Sequence, residues 1–381
     1  MYINKKFLTG LFILLLSHLA YAEMTTTEIN GYAVNYYVPD ISIAQVPDNM
    51  QMSLIVLIED PSPLPDNYLS PKINSVLIPD TVNRITTTTF SIDYIDAGES
   101  DIYGEACSDF PEEAKVDFNA AATIWANSIN TNVPITIQAC WSNFGSSSTL
   151  GYSGGYSTAN FTNAPISNTY YKLSLANSFA GTDIHSSYYN MYITYNGAYD
   201  WYYGVDGQTP NDKMDLLTVV LHEIAHGLNF SGNIAYGSSR CSSENYGCYN
   251  TYPGVYDRFV IDGLGDPLLD IANDSSAMGD AITSGDLYFN GTHAKTANGG
   301  DPVKIYTPSL WSSGSSYSHL DYATFNNTSN ELMVYAVSLG EATHAPGDIT
   351  LGMFEDMGWD MASNNPTTSD INPAVIMYLL N

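Results

Sequence analysis

The residues best suited to chemistry are His222, Glu223 and His226, which stand in the sequence HEIAH. In an α-helix, residues four apart lie on one face, so the two imidazoles can bind one metal ion together. Glu223 lies about 100° around the helix from His222, which suits a carboxylate that takes a proton from metal-bound water. Zinc is the expected metal, because imidazole suits it and a catalytic zinc keeps one coordination position open. The pattern predicts a zinc hydrolase.

A catalytic zinc of this kind needs a third protein ligand, and the compact arrangements fail here. In HExxHxxGxxH the third histidine would be residue 232, which is Gly232, and the motif's glycine is replaced by Asn229. No downstream glutamate has an aspartate four residues later. The remaining candidates are His319, within SYSHLD and followed by the sequence ELM, then His293 and, more weakly, Asp321.

These motifs resemble the leishmanolysin-like branch of the metzincin metallopeptidases. The resemblance covers about residues 86–360 and rests on HEIAHGLNFS, the Ser-His pair, ELM and LGMFEDMGW. It implies an α+β fold with a mixed sheet, an HExxH helix and a C-terminal subdomain with a methionine turn beneath the zinc. It also implies His319 as the third ligand, Met333 as the turn methionine and Tyr335 as a candidate support for the developing oxyanion. Asn229 and the long gap before His319 depart from the family pattern.

The histidine pair must be carried by a helix, and the sequence predicts one from Thr209 to about Gly227. Thr209 is its expected cap and Pro210 its expected first residue. Apolar residues nearly surround this segment, so the helix should be buried.

The segments before this helix alternate between strand and helix patterns. Strands are predicted from Thr86, over residues 133–139 and over 189–195, and helices over residues 111–129 and 171–179. Residues 143–157 are rich in glycine and serine and predict a loop. The 189–195 strand is the candidate edge for pairing an extended substrate.

The chain divides into six predicted parts. A basic start, an apolar run and Ala20-Tyr21-Ala22 predict a signal peptide over residues 1–22, whose apolar run is too short to span a bilayer. Residues 23–84 are expected to be a β-rich domain or a pro-segment, which would hold no cysteine to place on the zinc. The remaining parts are residues 85–232, with the zinc helix; 233–300, an insertion; 301–360, with the third ligand and the methionine turn; and 361–381, a tail.

The charge and the composition of the chain exclude some classes of binding partner. The formal net charge of −29 makes nucleic acid an implausible partner, and no apolar run approaches a membrane span. The expected partner is a protein or peptide substrate, and the expected location is outside the cytoplasm, extracellular or periplasmic.

The four cysteines favour two disulfides in an oxidising compartment. Of three pairings, we favour Cys107 with Cys140 and Cys241 with Cys248, since each pair flanks one local segment. Calcium is a further candidate ligand for the insertion, where solvated loop acids are the alternative; the candidate residues are Asp257, Asp262, Asp266, Asp270 and Asp274.

The sequence thus predicts a secreted zinc endopeptidase. Two alternatives stay open. One is a secreted binding or adhesive protein with a non-catalytic zinc site, in which Glu223 would have no role as a base. The other is a zinc hydrolase of another family, with His293 or a carboxylate as the third ligand.

Overall fold

The structure is a computed structural model that describes residues 23–39, 46, 50–65, 68, 87–145 and 147–362. The predicted signal peptide, residues 363–381 of the predicted tail and most of residues 66–86 lie outside the described residues.

The described residues contain seven α-helices and eighteen strands. The helices are α1 (Glu112–Ala126), α2 (Leu173–Ala180), α3 (Leu216–Gly227), α4 (Ser276–Ile282), α5 (Thr292–Ala297), α6 (Tyr322–Phe325) and α7 (Asp348–Met357). The strands are β1 (Glu23–Ile29), β2 (Tyr32–Val38), β3 (Met50–Asp60), β4 (Phe90–Tyr94), β5 (Ile129–Asn130), β6 (Ile135–Ser142), β7 (Thr149–Ala159), β8 (Tyr170–Lys172), β9 (Met191–Asn196), β10 (Trp201–Tyr202), β11 (Met214–Asp215), β12 (Ala235–Tyr236), β13 (Gly247–Cys248), β14 (Val260–Asp262), β15 (Leu287–Phe289), β16 (Val303–Lys304), β17 (Ala336–Ser338) and β18 (Asp360–Met361).

The main sheet has the strand order β17-β3-β7-β9-β6-β4, with β8 paired to the end of β7. Strands β4, β6 and β9 run parallel to one another, β7 is antiparallel to both of its long neighbours, and β17 is parallel to β3. The predicted mixed sheet with helices, an α+β arrangement, is confirmed at this level.

The two faces of the sheet are covered by different elements. Successive side chains of a strand point to opposite faces. In β7, a Cβ on Gly151 would lie 3.6 Å from the Glu223 Cγ of α3, whereas the next residue, Tyr152, belongs to a second core. That second core includes Ile29, Val34 and Tyr36 of the β1–β2 hairpin. Helices α1 and α3 thus pack on one face and the N-terminal hairpin on the other.

The prediction of a loop over residues 143–157 is wrong from Thr149 onward, because β7 begins there and lies in the middle of the sheet. Its glycines are needed there for close packing. A Cβ at Gly154 would lie 1.8 Å from the Tyr103 hydroxyl, and one at Gly151 would lie 3.1 Å from the Thr194 carbonyl oxygen. The Gly/Ser composition therefore reflects crowding between strands and not a loop.

The predicted strand over residues 189–195 exists as β9, but it is not an edge. It pairs with β6 on one side and with β7 on the other, so its backbone groups cannot bind an added strand.

Strand β3 comes from the predicted N-terminal segment, residues 23–84. It pairs with β7 from Met50 to Ile58 and with β17 through residues 58–60. The main sheet therefore contains strands from both sides of the predicted domain boundary at residue 85.

Both favoured disulfides are present: Cys107–Cys140 joins the segment before α1 to β6, and Cys241–Cys248 closes a short loop in the insertion. Within the described residues, no helix combines the length and the apolar character needed to cross a bilayer. Disulfides are typical of oxidising compartments, so both observations are compatible with the predicted location.

The insertion is joined to the C-terminal part by a small sheet, β14-β15-β16, and by packing of α5 on α7. Its aspartates mostly accept backbone N–H groups: Asp257 accepts from Gly254, and Asp274 accepts from Ser242. Among the described residues, the aspartates of the insertion do not form a group of three carboxylates around one point. Calcium binding stays a hypothesis.

Candidate metal centre

Helix α3 carries the HEIAH motif and begins later than predicted, at Leu216. Its cap is Asp215, whose side chain accepts the Thr218 N–H at 2.8 Å, while the Thr209 hydroxyl donates to the other oxygen of Asp215 at 2.6 Å. The predicted cap therefore supports the actual cap. Thr209 cannot begin the helix, because Met214 and Asp215 are extended in β11, paired with β10.

Two histidines of α3 meet a third from a distant part of the chain. The Nε2 atom of His226 lies 2.9 Å from that of His222, and the Nε2 atom of His319 lies 3.2 Å from both. Tetrahedral zinc with bonds of about 2.0–2.1 Å would hold its nitrogens about 3.3 Å apart. The spacing of the three nitrogens therefore fits one small metal ion, although His319 lies 93 residues after His226.

The other ring nitrogens fix how these imidazoles are protonated. Each Nδ1 lies within hydrogen-bonding distance of a backbone carbonyl oxygen: that of Leu332 at 2.6 Å for His222, of Phe230 at 2.6 Å for His226, and of Ser315 at 2.7 Å for His319. A carbonyl only accepts, so each Nδ1 must carry the proton and each Nε2 must present a lone pair. Three lone pairs cannot hydrogen-bond to one another. The donor set therefore fits a cation at their meeting point, with the carbonyls as the outer partners usual for metal-binding histidines.

Burial favours the neutral, metal-binding form of all three histidines. They are 0–1% exposed. Loss of hydration lowers the pKa of His222 to about 4 and lowers the pKa values of His226 and His319 well below the ordinary value.

Glu223 is fully buried beside these histidines, and within the described part of the chain neither of its carboxylate oxygens has a hydrogen-bond partner. Burial raises its pKa well above the ordinary range. The side chain lies against Gly151 of β7, where a Cβ would be 3.6 Å from the Glu223 Cγ. A buried carboxylate without partners is costly, so this position calls for a water molecule or a cation beside it.

The sequence ELM forms a tight turn against the metal site. Residues Glu331–Met333 make a single 3-10 turn, Met333 is fully buried, and the Leu332 carbonyl holds His222. The Met333 carbonyl accepts the Leu320 N–H at 2.8 Å, next to His319. The turn thus links His222 to His319.

Asn229 occupies a backbone conformation that explains its departure from the family pattern. Its φ is +92°, in the left-handed region that favours glycine and that asparagine tolerates better than most residues. Its side-chain oxygen also accepts the Lys172 N–H at 2.7 Å.

The other candidate residues lie elsewhere. His293 is half-exposed and pairs with Glu355 at 3.1 Å, and Asp321 caps α6. The Tyr335 ring stacks on Tyr306 with the ring centres 4.1 Å apart, in the core on the hairpin face of the sheet. Its proposed role at the oxyanion stays untested.

Sequence reasoning missed the three carbonyl partners and the approach of Gly151 to Glu223. Carbonyl groups are present in every residue, so the sequence does not show which of them will contact a histidine. Only the Gly/Ser run of β7 could have indicated that this strand lies close to Glu223.

Comparison with protein-family models, curated proteins and solved structures finds no significant match. The metzincin resemblance therefore rests on the motif residues, and the site must be argued from its own geometry.

Proposed function

We propose that this protein is a secreted zinc-dependent endopeptidase of the metzincin type. His222, His226 and His319 would hold the zinc, and Glu223 would be the general base. The observation that carries the proposal is the pairing of a three-histidine cluster, whose lone pairs meet at one point, with a buried carboxylate that has no protein partner. A zinc site closed by protein would need a fourth ligand and would have no use for this carboxylate.

Zinc bound at this point would supply Lewis-acid polarisation of the scissile carbonyl and of the attacking water. Glu223 accepts one proton from that water, and the oxygen forms a bond to the carbonyl carbon. As the C–N bond breaks, Glu223 returns the proton to the leaving nitrogen, giving an amine and a carboxylic acid, which then transfers its proton to the amine or to solvent. Burial alone raises the pKa of Glu223, and a zinc ion beside it would favour the ionised carboxylate that accepts the proton.

The test is hydrolysis of casein or gelatin by the mature protein, after any N-terminal processing is complete. Glu223→Gln keeps the shape of the side chain, so zinc should stay bound while the rate falls by about 10²–10⁴-fold. Glu355→Gln is the control, since Glu355 lies on α7 and pairs with His293. Chelation should abolish hydrolysis and added zinc should restore it.

An inactive wild type with one zinc per chain would point instead to a binding protein with a non-catalytic site. Full activity of Glu223→Gln would remove Glu223 from the mechanism.

A further inference from the structure

The proposed catalytic groups are closed off from solvent. His222, Glu223 and His319 are 0% exposed and His226 is 1% exposed. An endopeptidase must admit a polypeptide chain to its metal, so some element that covers the site has to move. The following inference rests on the proposed function.

Strand β3 lies beside three segments of the proposed site: β7 next to Glu223, the chain that follows the methionine turn, and the segment that leads to His319. Its Leu57 pairs with Gly151 of β7, the residue that contacts Glu223. Its Ile58 N–H donates to the Tyr335 carbonyl at 3.3 Å, two residues after Met333. On the third side, the Val56 N–H donates to the Gly314 carbonyl at 2.9 Å.

That third contact leads directly to a proposed ligand. Gly314 precedes Ser315, whose carbonyl holds His319. Leu57 itself is fully buried in the core that contains the apolar residues of α3. Thus β3 fills the space between the strand behind Glu223 and the segments that carry the third histidine and the methionine turn.

Strand β3 is held mostly by main-chain hydrogen bonds to its neighbouring strands, and any extended polypeptide can form such bonds. It is antiparallel to β7 over nine residue pairs and parallel to β17 over three. The ladder shifts register between Leu57 and Ile58, opposite residues 149–151. Such bulges often lie beside active sites.

Several side-chain contacts secure the strand, and at its C-terminal end Tyr199 donates to Glu59 at 2.9 Å and Tyr322 donates to Asp60. The buried Lys172 Nζ donates to the Ser53 hydroxyl at 2.6 Å. On the hairpin side, Asn30 donates to Asp60 at the end of β3 at 3.3 Å. The β1–β2 hairpin also bonds to β7, where the Tyr37 N–H donates to the Thr149 hydroxyl at 2.7 Å. The strand and the hairpin are together called the N-terminal unit.

We infer that β3 is an inhibitory strand, which occupies the slot between β7 and β17 and keeps the enzyme latent until the N-terminal unit is released. The four cysteines of the chain all follow residue 100, so the N-terminal unit has no thiolate to place on the metal. Inhibition works by strand insertion. The vacated slot takes an extended peptide by main-chain pairing to β7 and β17.

The test compares a protein in which β3 can be released by proteolysis with variants in which a disulfide ties β3 to its neighbouring strand. A sequence-specific protease site is inserted between Tyr68 and Thr87 in the full mature chain, and zinc content and near-ultraviolet circular dichroism check the fold. Gln51→Cys/Ser157→Cys locks β3 to β7, since these residues are direct partners at the spacing a disulfide requires.

A second lock and a control use other registered pairs. Glu59→Cys/Val337→Cys ties β3 to β17. Glu28→Cys/Ala33→Cys adds a disulfide within the hairpin and leaves β3 free. All variants are compared oxidised, before and after cutting, for peptide hydrolysis and for the rate of zinc transfer to a chromophoric chelator.

Cutting should raise both rates by about tenfold or more in the parent and in the hairpin control, because only the open fraction of molecules can bind a peptide. Both locked variants should stay at the uncut rates. Equal rates in cut locked and cut parent protein, or no change when the parent is cut, would overturn the inference.

The two readouts separate this inference from the proposed function. If the locks slow zinc transfer but no form hydrolyses peptides, the strand inference stands and the peptidase proposal fails. If hydrolysis depends on Glu223 but not on the locks, the peptidase proposal stands and the strand inference fails.

Discussion

Replacing His319 by alanine tests the three-histidine site most directly. His319 supplies one of three Nε2 atoms that lie 2.9–3.2 Å apart, and its Nδ1 is held by the Ser315 carbonyl. Its replacement should weaken zinc binding without touching helix α3. The matched control is His293→Ala, because His293 was the competing candidate and lies at the surface with Glu355.

The expected loss follows from the strength of zinc sites. Zinc binding to four-ligand sites contributes about 10–16 kcal/mol, so one ligand corresponds to about 3 kcal/mol. That free energy is about two orders of magnitude in Kd. His293→Ala should leave the Kd unchanged within about twofold.

The assay is a competition titration of zinc between the protein and a chromophoric chelator, at one pH and with the fold checked by circular dichroism. The reasoning would be refuted if His319→Ala bound zinc like the wild type. Loss of zinc in His293→Ala instead would also refute the reasoning and would identify His293 as the third ligand.

Two further predictions concern stability. Burial lowers the pKa of Lys172 from 10.5 to about 7. Between these pH values the unfolded chain binds more protons than the folded chain, so the free energy of unfolding should rise with pH, by at most about 1.4 kcal/mol per pH unit. Urea unfolding at pH 7 and pH 9 should show a smaller rise in Lys172→Met than in the wild type, and equal rises would contradict the assignment. Replacing both cysteines of Cys107–Cys140 by serine should cost about 1 kcal/mol more than the same change at Cys241–Cys248, because the cross-linked residues are 33 rather than 7 apart. Urea unfolding of the two double variants checks the order, and the reverse order would count against the loop-closure argument.

The parts of the site that depend on local periodicity could be predicted from the sequence. The helical repeat places His222 and His226 on one face whatever the surrounding fold. His319 was different, because a ligand 93 residues away is positioned by tertiary structure and no local spacing identifies it. Only the family resemblance singled it out, and the structure brings it to the other two.

The errors concern the sheet. A run of glycines and serines has low strand propensity, so β7 looked like a loop; its conformation is imposed by β3 and β9 on either side. Whether β9 is an edge depends on strand order, which a local pattern does not contain. The start of α3 was misplaced because Thr209 and Asp215 are both good caps, and the choice depends on pairing of β11 with β10.

The carbonyls that orient the three imidazoles have an evolutionary consequence. Because Phe230, Ser315 and Leu332 act through main-chain oxygens, substitutions that keep the backbone path would leave the imidazoles aimed at the same point. Selection at these positions then acts on chain geometry and not on side-chain identity. Descendants of this chain could diverge widely around the histidines while keeping the same metal-binding geometry, so conserved spacing of the three histidines would be a better sign of kinship than overall identity.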